Sequence, residues 1–245
     1  MTPATISAGD AWLARQRLLV IAPHPDDECF GCAGTMARIK QLGGEVYVVV
    51  ASLGDLKHYS HTDVFVSGQR RRGELEQVMT YLKVDDYDVL YSDAETHERL
   101  DRLPRRELVE LFESRGRLAF DKLRPTAVAI PAISYNQDHE AVFRAAHTAL
   151  RPGDPDLKHL APTVLVYDNT ALFWSLEREK FHPNFYVDIS QQLETKIEAL
   201  RLHQSQRKRS VHHASLENTR HIAQVRGCEV GTHAAEGYQC LRFLL

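Results

Sequence analysis

The chain of 245 residues has little that would tie it to a membrane, a disulfide scaffold or a nucleic acid. No segment approaches the roughly 20 apolar residues of a membrane span. Four cysteines do not make a disulfide framework in a chain of this length. A net charge of −3 argues against a general nucleic-acid binder. The local basic clusters, Arg70-Arg71-Arg72 and Arg207-Lys208-Arg209, read as solvated faces or helix-end charges. The segment before the first strand carries Asp10 and Arg15 and has no signal-peptide core. Repeats and low-complexity tracts are absent. Gly31 and Gly34 lack the Gly-x-Gly-x-x-Gly order of a dinucleotide fingerprint. These absences leave a cytoplasmic protein, with residues 1–245 as a single domain. The hydrophobic fraction of 43% is ordinary for a globular chain. What is plentiful is histidine, with 13 residues, most of which must lie on the surface.

Apolar runs alternate with helical patterns along most of the chain. The pattern predicts strands over 17–22, 46–51, 89–91, 126–131 and 163–167. It predicts helices over 29–42, 67–82, 104–123 and 138–150, the first stopped by Gly43-Gly44. Strand-helix alternation implies a Rossmann-like α/β fold, a mostly parallel sheet with helices on both faces. After residue 180 the order changes to a weak strand at 185–189, helices at 191–203 and 216–226, and a strand at 238–244. In a parallel sheet the ligand site lies beyond the carboxyl ends of the strands.

Pro23-His24-Pro25-Asp26-Asp27-Glu28 follows the first strand and concentrates one imidazole and three carboxylates. His24 and Asp27, three residues apart at a strand-to-helix turn, can point at one ion. Asp26 then remains to take a proton from water, the basic chemistry of metal-assisted hydrolysis. Glu28 begins the following helix, where it complements the dipole. The plainer reading is that these acids only cap that helix, but capping needs one acid and does not explain His24 or the prolines. A zinc site takes a third protein ligand. His139 is the best candidate. It opens a helix after the strand at 126–131, beside Asp138, which resembles an N-cap. Parallel strands would bring both clusters to the same sheet edge. Two His and one Asp suit zinc and also accept Fe(II), Co(II) or Ni(II).

These residues resemble the PIG-L/LmbE family of metal-dependent N-acetylglucosaminyl deacetylases. The Pro23–Glu28 run stands in for that family's Ala-His-Pro-Asp-Asp-Glu signature. Gly34-Thr35, Arg71-x-x-Glu74, Asp93, Asp138-His139, Lys196-x-x-Ala199, His203-x-Ser205-Gln206 and Ala235-Glu236-Gly237-Tyr238 follow in family-like order. The resemblance implies His24, Asp27 and His139 as metal ligands, Asp26 as general base, and Arg71 and Asp93 as substrate contacts. The family's second motif is His-x-Asp-His. Here it reads Asn136-Gln137-Asp138-His139, so Asn136 replaces a histidine and joins Asp26 and Asp138 as a candidate catalytic residue. Asn136 can donate a hydrogen bond to an oxyanion but cannot act as a general acid, so Asp26 would return its own proton to the leaving amine. The implied reaction is removal of an N-acetyl group from a small N-acetylated amino sugar or glycoconjugate. The part from about 180 would contribute to the substrate pocket.

Two rivals remain. One is an amidase of the same chemistry acting on a sugar-thiol or other acylamine conjugate. The other is a non-catalytic carbohydrate- or nucleotide-binding homologue. Cys29-Phe30-Gly31-Cys32 has redox-motif spacing but reads as helix packing. His58-x-x-His61 reads as a surface loop or substrate contact, and His212-His213 and His233 read as exposed. Oligomeric state is open.

Overall fold

A computed structural model describes residues 7–57, 65–168 and 181–245. In chain order the elements are α1 (Ala8–Leu13), β1 (Arg17–Ala22), α2 (Asp27–Gln41), β2 (Glu45–Ser52), β3 (Leu56–Lys57), β4 (Phe65–Val66) and α3 (Gly68–Tyr81). There follow β5 (Asp86–Tyr91), α4 (Arg105–Glu110), α5 (Phe120–Leu123), β6 (Ala127–Pro131), α6 (Gln137–Ala149) and β7 (Thr163–Tyr167). The chain ends with β8 (Phe185–Asp188), α7 (Leu193–Leu202), α8 (Leu216–Val230) and β9 (Ala235–Phe243). A 3-10 turn at Leu100–Arg102 and another at Gln204–Gln206 lie beside the site.

Seven strands form one sheet in the order β5-β2-β1-β6-β7-β9-β8. β5, β2, β1, β6 and β7 are parallel; β9 runs antiparallel to both its neighbours. The near-continuous apolar strands are what a sheet covered on both faces requires. Alternate residues of β1 enter different cores. Leu18, Val20 and Ala22 join residues of α2, α3, α7 and α8, whereas Leu19 and Ile21 join residues of α4, α5 and α6. The expected mostly parallel α/β architecture is therefore present. The chain proceeds outward from β1 through β2 to β5, then returns to β6 on the other side. That reversal makes the carboxyl ends of β1 and β6 the topological switch point of the sheet, where such folds place their ligands.

Two expectations are corrected. The helix predicted over 104–123 is two short helices joined by a π-turn at Leu111–Arg115. The Gly116 amide donates to Leu111 O at 2.9 Å, and a Cβ on Gly116 would lie 2.5 Å from that oxygen, so the turn closes on a glycine. Asp138 does not cap α6. Asn136 does, accepting from the Asp138 amide at 2.8 Å, because its extended backbone (φ −84°, ψ 126°) suits a cap position.

The C-terminal elements brace α2. The Glu236 carboxylate accepts from the Gly34 and Thr35 amides at 2.9 and 2.7 Å. Lys196 donates to Phe30 O and to Glu236, each at 2.6 Å, and the Tyr238 hydroxyl donates to Thr35 Oγ1 at 2.7 Å. The motif pieces at 34–35, 196–199 and 235–238 thus meet in one buried knot that holds the helix following the His24 turn.

Candidate metal centre and active site

β1 ends at Ala22, and the Pro23–Asp26 turn leads directly into α2. Tyr167, fully buried, donates its hydroxyl to Ile21 O at 3.0 Å, and the Ser52 amide donates to Pro23 O at 3.0 Å. Within the turn, Asp27 Oδ2 accepts from the His24 amide at 3.1 Å. The same oxygen lies 3.6 Å from His24 Nδ1 and 3.2 Å from His139 Nε2. His24, Asp27 and His139 place one ligand atom each within 4.8 Å of one another. Two residues named from the β1 turn and one from the start of α6 therefore converge at the switch point.

His24 uses its other nitrogen on Asp138: Nε2 donates to Oδ2 at 2.9 Å. Asp138, wholly buried, also accepts from the Leu100 amide at 2.9 Å. A carboxylate on one imidazole nitrogen leaves the other nitrogen turned to the cluster, the arrangement that orients metal-ligating histidines. Burial alone lowers the His24 pKa, but the hydrogen bonds to Asp138 and Asp27 outweigh it and raise it to about 9. Burial likewise opposes ionisation of Asp27, yet His139 and His24 hold its carboxyl well below the usual range. Two imidazoles and one ionised carboxylate, nearly closed to solvent, form a donor set that fits a divalent transition ion.

Asp26 directly precedes Asp27, whose charge acts on its carboxyl. Its side chain does not cap α2, and its backbone sits at φ 110°, ψ −30°. A non-glycine residue held there costs of order 1–3 kcal/mol, a kind of strain that concentrates at functional sites. Burial and the Asp27 charge push its pKa up to about 7, against the opposing pull of His203 and Arg71. A carboxylate poised near neutrality suits proton transfer. Glu28, with no exposed surface, accepts from the Asp26 amide at 2.9 Å rather than only complementing the helix dipole.

Arg71 is buried and donates through Nη1 to Gly54 O at 3.1 Å and to His97 Nε2 at 2.8 Å. Its charge reaches Asp26 and Asp27, and burial lowers its pKa. Asp93 is exposed. It caps the turn from β5, accepting from the Glu95 and Thr96 amides at 3.1 and 2.8 Å, and so orders the segment bearing His97.

His97 was not singled out by sequence. An arginine only donates, so His97 Nε2 accepts and its Nδ1 donates to Ser52 Oγ at 3.0 Å. Its ring stands edge-on to His24 at 5.8 Å. Burial and the charges of Arg71 and His24 lower its pKa to about 3, keeping it neutral. A Cβ on Gly54 would lie 2.8 Å from the ring, so glycine makes room for it. The available signal was positional: His97 follows β5 at the same sheet edge as His24.

His203 is buried and donates to Glu28 Oε1 at 3.0 Å. Glu28, Cys29 and His203 have ligand-like spacing, but the Cys29 thiol also donates to Glu28, and burial raises its pKa well above the usual value. A metal there would need a thiolate, so this trio is a hydrogen-bonded network. Cys29 and Cys32 are both packed in the core. His213, expected to be exposed, is half-buried, edge-on to Tyr135 at 6.5 Å; His233 is exposed. His58 and His61 lie outside the described residues.

The switch point of this α/β fold thus carries three residues, His24, Asp27 and His139, that could hold a metal ion, with the Asp26 carboxyl beside them. The family described as PIG-L, GlcNAc-PI de-N-acetylase, matches residues 19–150, more than half of the chain, and the chain belongs to it. The chain is similar to a diacetylchitobiose deacetylase of Thermococcus kodakarensis, with 28% identity over 91% of this chain and 82% of that one. It is 32% identical to a 1D-myo-inositol 2-acetamido-2-deoxy-alpha-D-glucopyranoside deacetylase of Kineococcus radiotolerans, over 37% of this chain and 26% of that protein. The chain therefore spans only about a quarter of that relative's length. The solved N,N'-diacetylchitobiose deacetylase of Pyrococcus horikoshii superposes with a TM-score of 0.66, at 25% identity over 91% of this chain and 83% of that one. Among the described residues, no helix is long and apolar enough to cross a membrane.

Proposed function

We propose that this chain is a metal-dependent de-N-acetylase of a small N-acetylated amino sugar or its glycoconjugate. The observation that carries the reading is the convergence of His24, Asp27 and His139, with Asp138 behind His24 and Asp26 in front. His24 Nδ1, the Asp27 carboxylate and His139 Nε2 would hold the ion, zinc or another divalent transition metal. When bound, such an ion supplies Lewis-acid polarisation of an amide carbonyl and acidifies water. Asp26 takes the proton from the attacking water. The same carboxyl then returns it to the departing amine, since Asn136 cannot supply one. Asn136 Oδ1 is committed to the α6 cap, so its contribution comes from the NH₂ half, donating to the developing oxyanion. Asp138 is too deeply buried to meet substrate and acts by orienting His24. Arg71, held by Gly54 and His97, is a cation whose charge reaches Asp26 and which could meet a sugar hydroxyl or an acidic substituent.

We take residues 1–245 as one working domain, with the segment after α7 completing the pocket. Four free thiols suit a reducing cytoplasm. The test joins metal analysis of the purified protein to acetate release from a panel of N-acetyl sugars, acylated sugar-thiols and nucleotide sugars. About one equivalent of a divalent metal is expected with acetate release. A metal-free protein that binds sugars without turnover would support the binding-protein alternative instead.

A further inference from the structure

We infer that His203 is a positioning residue for Asp26, acting through the Glu28 carboxylate. This rests on the reading of Asp26 as the base.

A residue preceding a helix ordinarily takes an extended backbone and turns its side-chain oxygen onto the first-turn amides. Ser67 and Ser215 do this for α3 and α8. Asp26, of a residue type well suited to capping, does neither. Its φ is 110° and its carboxyl makes no cap bond. Something must prevent the ordinary cap from forming.

The restraint lies on its main chain. Glu28 Oε2 accepts from the Asp26 amide at 2.9 Å, and Asp26 O accepts from the Cys29 and Phe30 amides at 2.9 and 3.0 Å. Glu28 has no exposed surface, so a second charged or polar partner is required to keep its carboxylate there. His203 Nε2 supplies it at 3.0 Å on Oε1, with the Cys29 thiol at 3.3 Å. His203 is itself anchored. Two residues on, the Ser205 amide and hydroxyl donate to Glu74 of α3, the hydroxyl at 2.6 Å. The chain of contacts therefore runs from α3, through the turn after α7, to Glu28 and the main chain of Asp26. Without it, the nearest relaxed state is an extended Asp26 whose carboxyl caps α2 and is tied up there. The ligands His24 and Asp27 would stay in place.

The experiment compares the metal-loaded wild type with His203→Ala, His203→Gln and the isosteric Glu28→Gln. Crystal structures read the Asp26 φ, and acetate release reads kcat and KM separately. In His203→Ala and Glu28→Gln, Asp26 is expected to leave the positive-φ region. The kcat should fall about 10–100-fold, the usual cost of losing an outer partner, with KM and metal content unchanged. His203→Gln keeps a donor and should retain the positive φ and most of kcat. A positive φ retained in both His203→Ala and Glu28→Gln overturns the inference. So does a loss of kcat that tracks loss of metal. If the wild type releases acetate from no substrate, the functional reading fails, while the φ comparison still decides the positioning role.

Discussion

A proton and a metal ion compete for the same nitrogen of His24. With its pKa raised to about 9, His24 carries that proton at neutral pH, and a cation on Nδ1 must displace it. Zinc binding at pH 7 should therefore release about one proton, and affinity should weaken by up to about tenfold per pH unit as pH falls. Calorimetry in two buffers of different ionisation enthalpy measures the release; none at all would mean that His24 carries no proton on Nδ1 at pH 7 or is not a ligand. Asp138→Asn should cost about 10–100-fold in metal affinity or activity, because His24 loses the partner that orients it. His97 carries the opposite shift. Its folded value of about 3 lies below the unfolded value of about 6.5. Above pH 6.5 both states are neutral and no effect arises. Between pH 6.5 and 3 the unfolded chain binds a proton that the folded chain does not, so stability falls with falling pH, by up to about 1.4 kcal/mol per unit. Urea unfolding of the chelated protein and of His97→Gln at pH 6.5 and 5 tests this. A stability difference that does not change with pH would exclude His97 as the source.

At the scale of elements, α2 shows why helix propensity alone misleads here. Gly31→Ala in a helix normally stabilises by about 0.5–1 kcal/mol. Here the added Cβ would overlap the Tyr167 ring, and that ring is pinned by its hydroxyl bond to Ile21 O. The substitution should instead destabilise by about 1–3 kcal/mol, read from the urea midpoint. The strands at 17–22 and 163–167 were legible to the residue, since each is a short apolar run with a clear start and stop. The 104–123 region was not, because helical spacing continues through a π-turn whose closure depends on one missing Cβ at Gly116. The candidate metal cluster was legible because its three residues sit beside strand ends in dense local motifs. His97 and the role of His203 were not. Their partners, Ser52, Arg71 and Glu28, are distant in sequence; no local pattern marks His97, and the motif that contains His203 does not point to Glu28.

The whole molecule joins its last strand, β9, to α2, the helix that follows the His24 turn. Lys196 and Glu236 are both nearly closed to solvent, so Glu236→Gln leaves an ammonium facing a neutral amide. Breaking a buried pair of this kind costs about 3–5 kcal/mol, and the thermal midpoint should fall accordingly. A variant as stable as the wild type would mean that the knot adds little. There is a consequence for how the protein comes into being. The family-matched stretch, 19–150, holds every proposed ligand. The helix carrying Asp27 nevertheless takes its lateral support from β9, which is made well after that stretch. Nascent chains should therefore remain unable to capture metal until residues 235–238 have emerged, which ties the centre to the synthesis of β9.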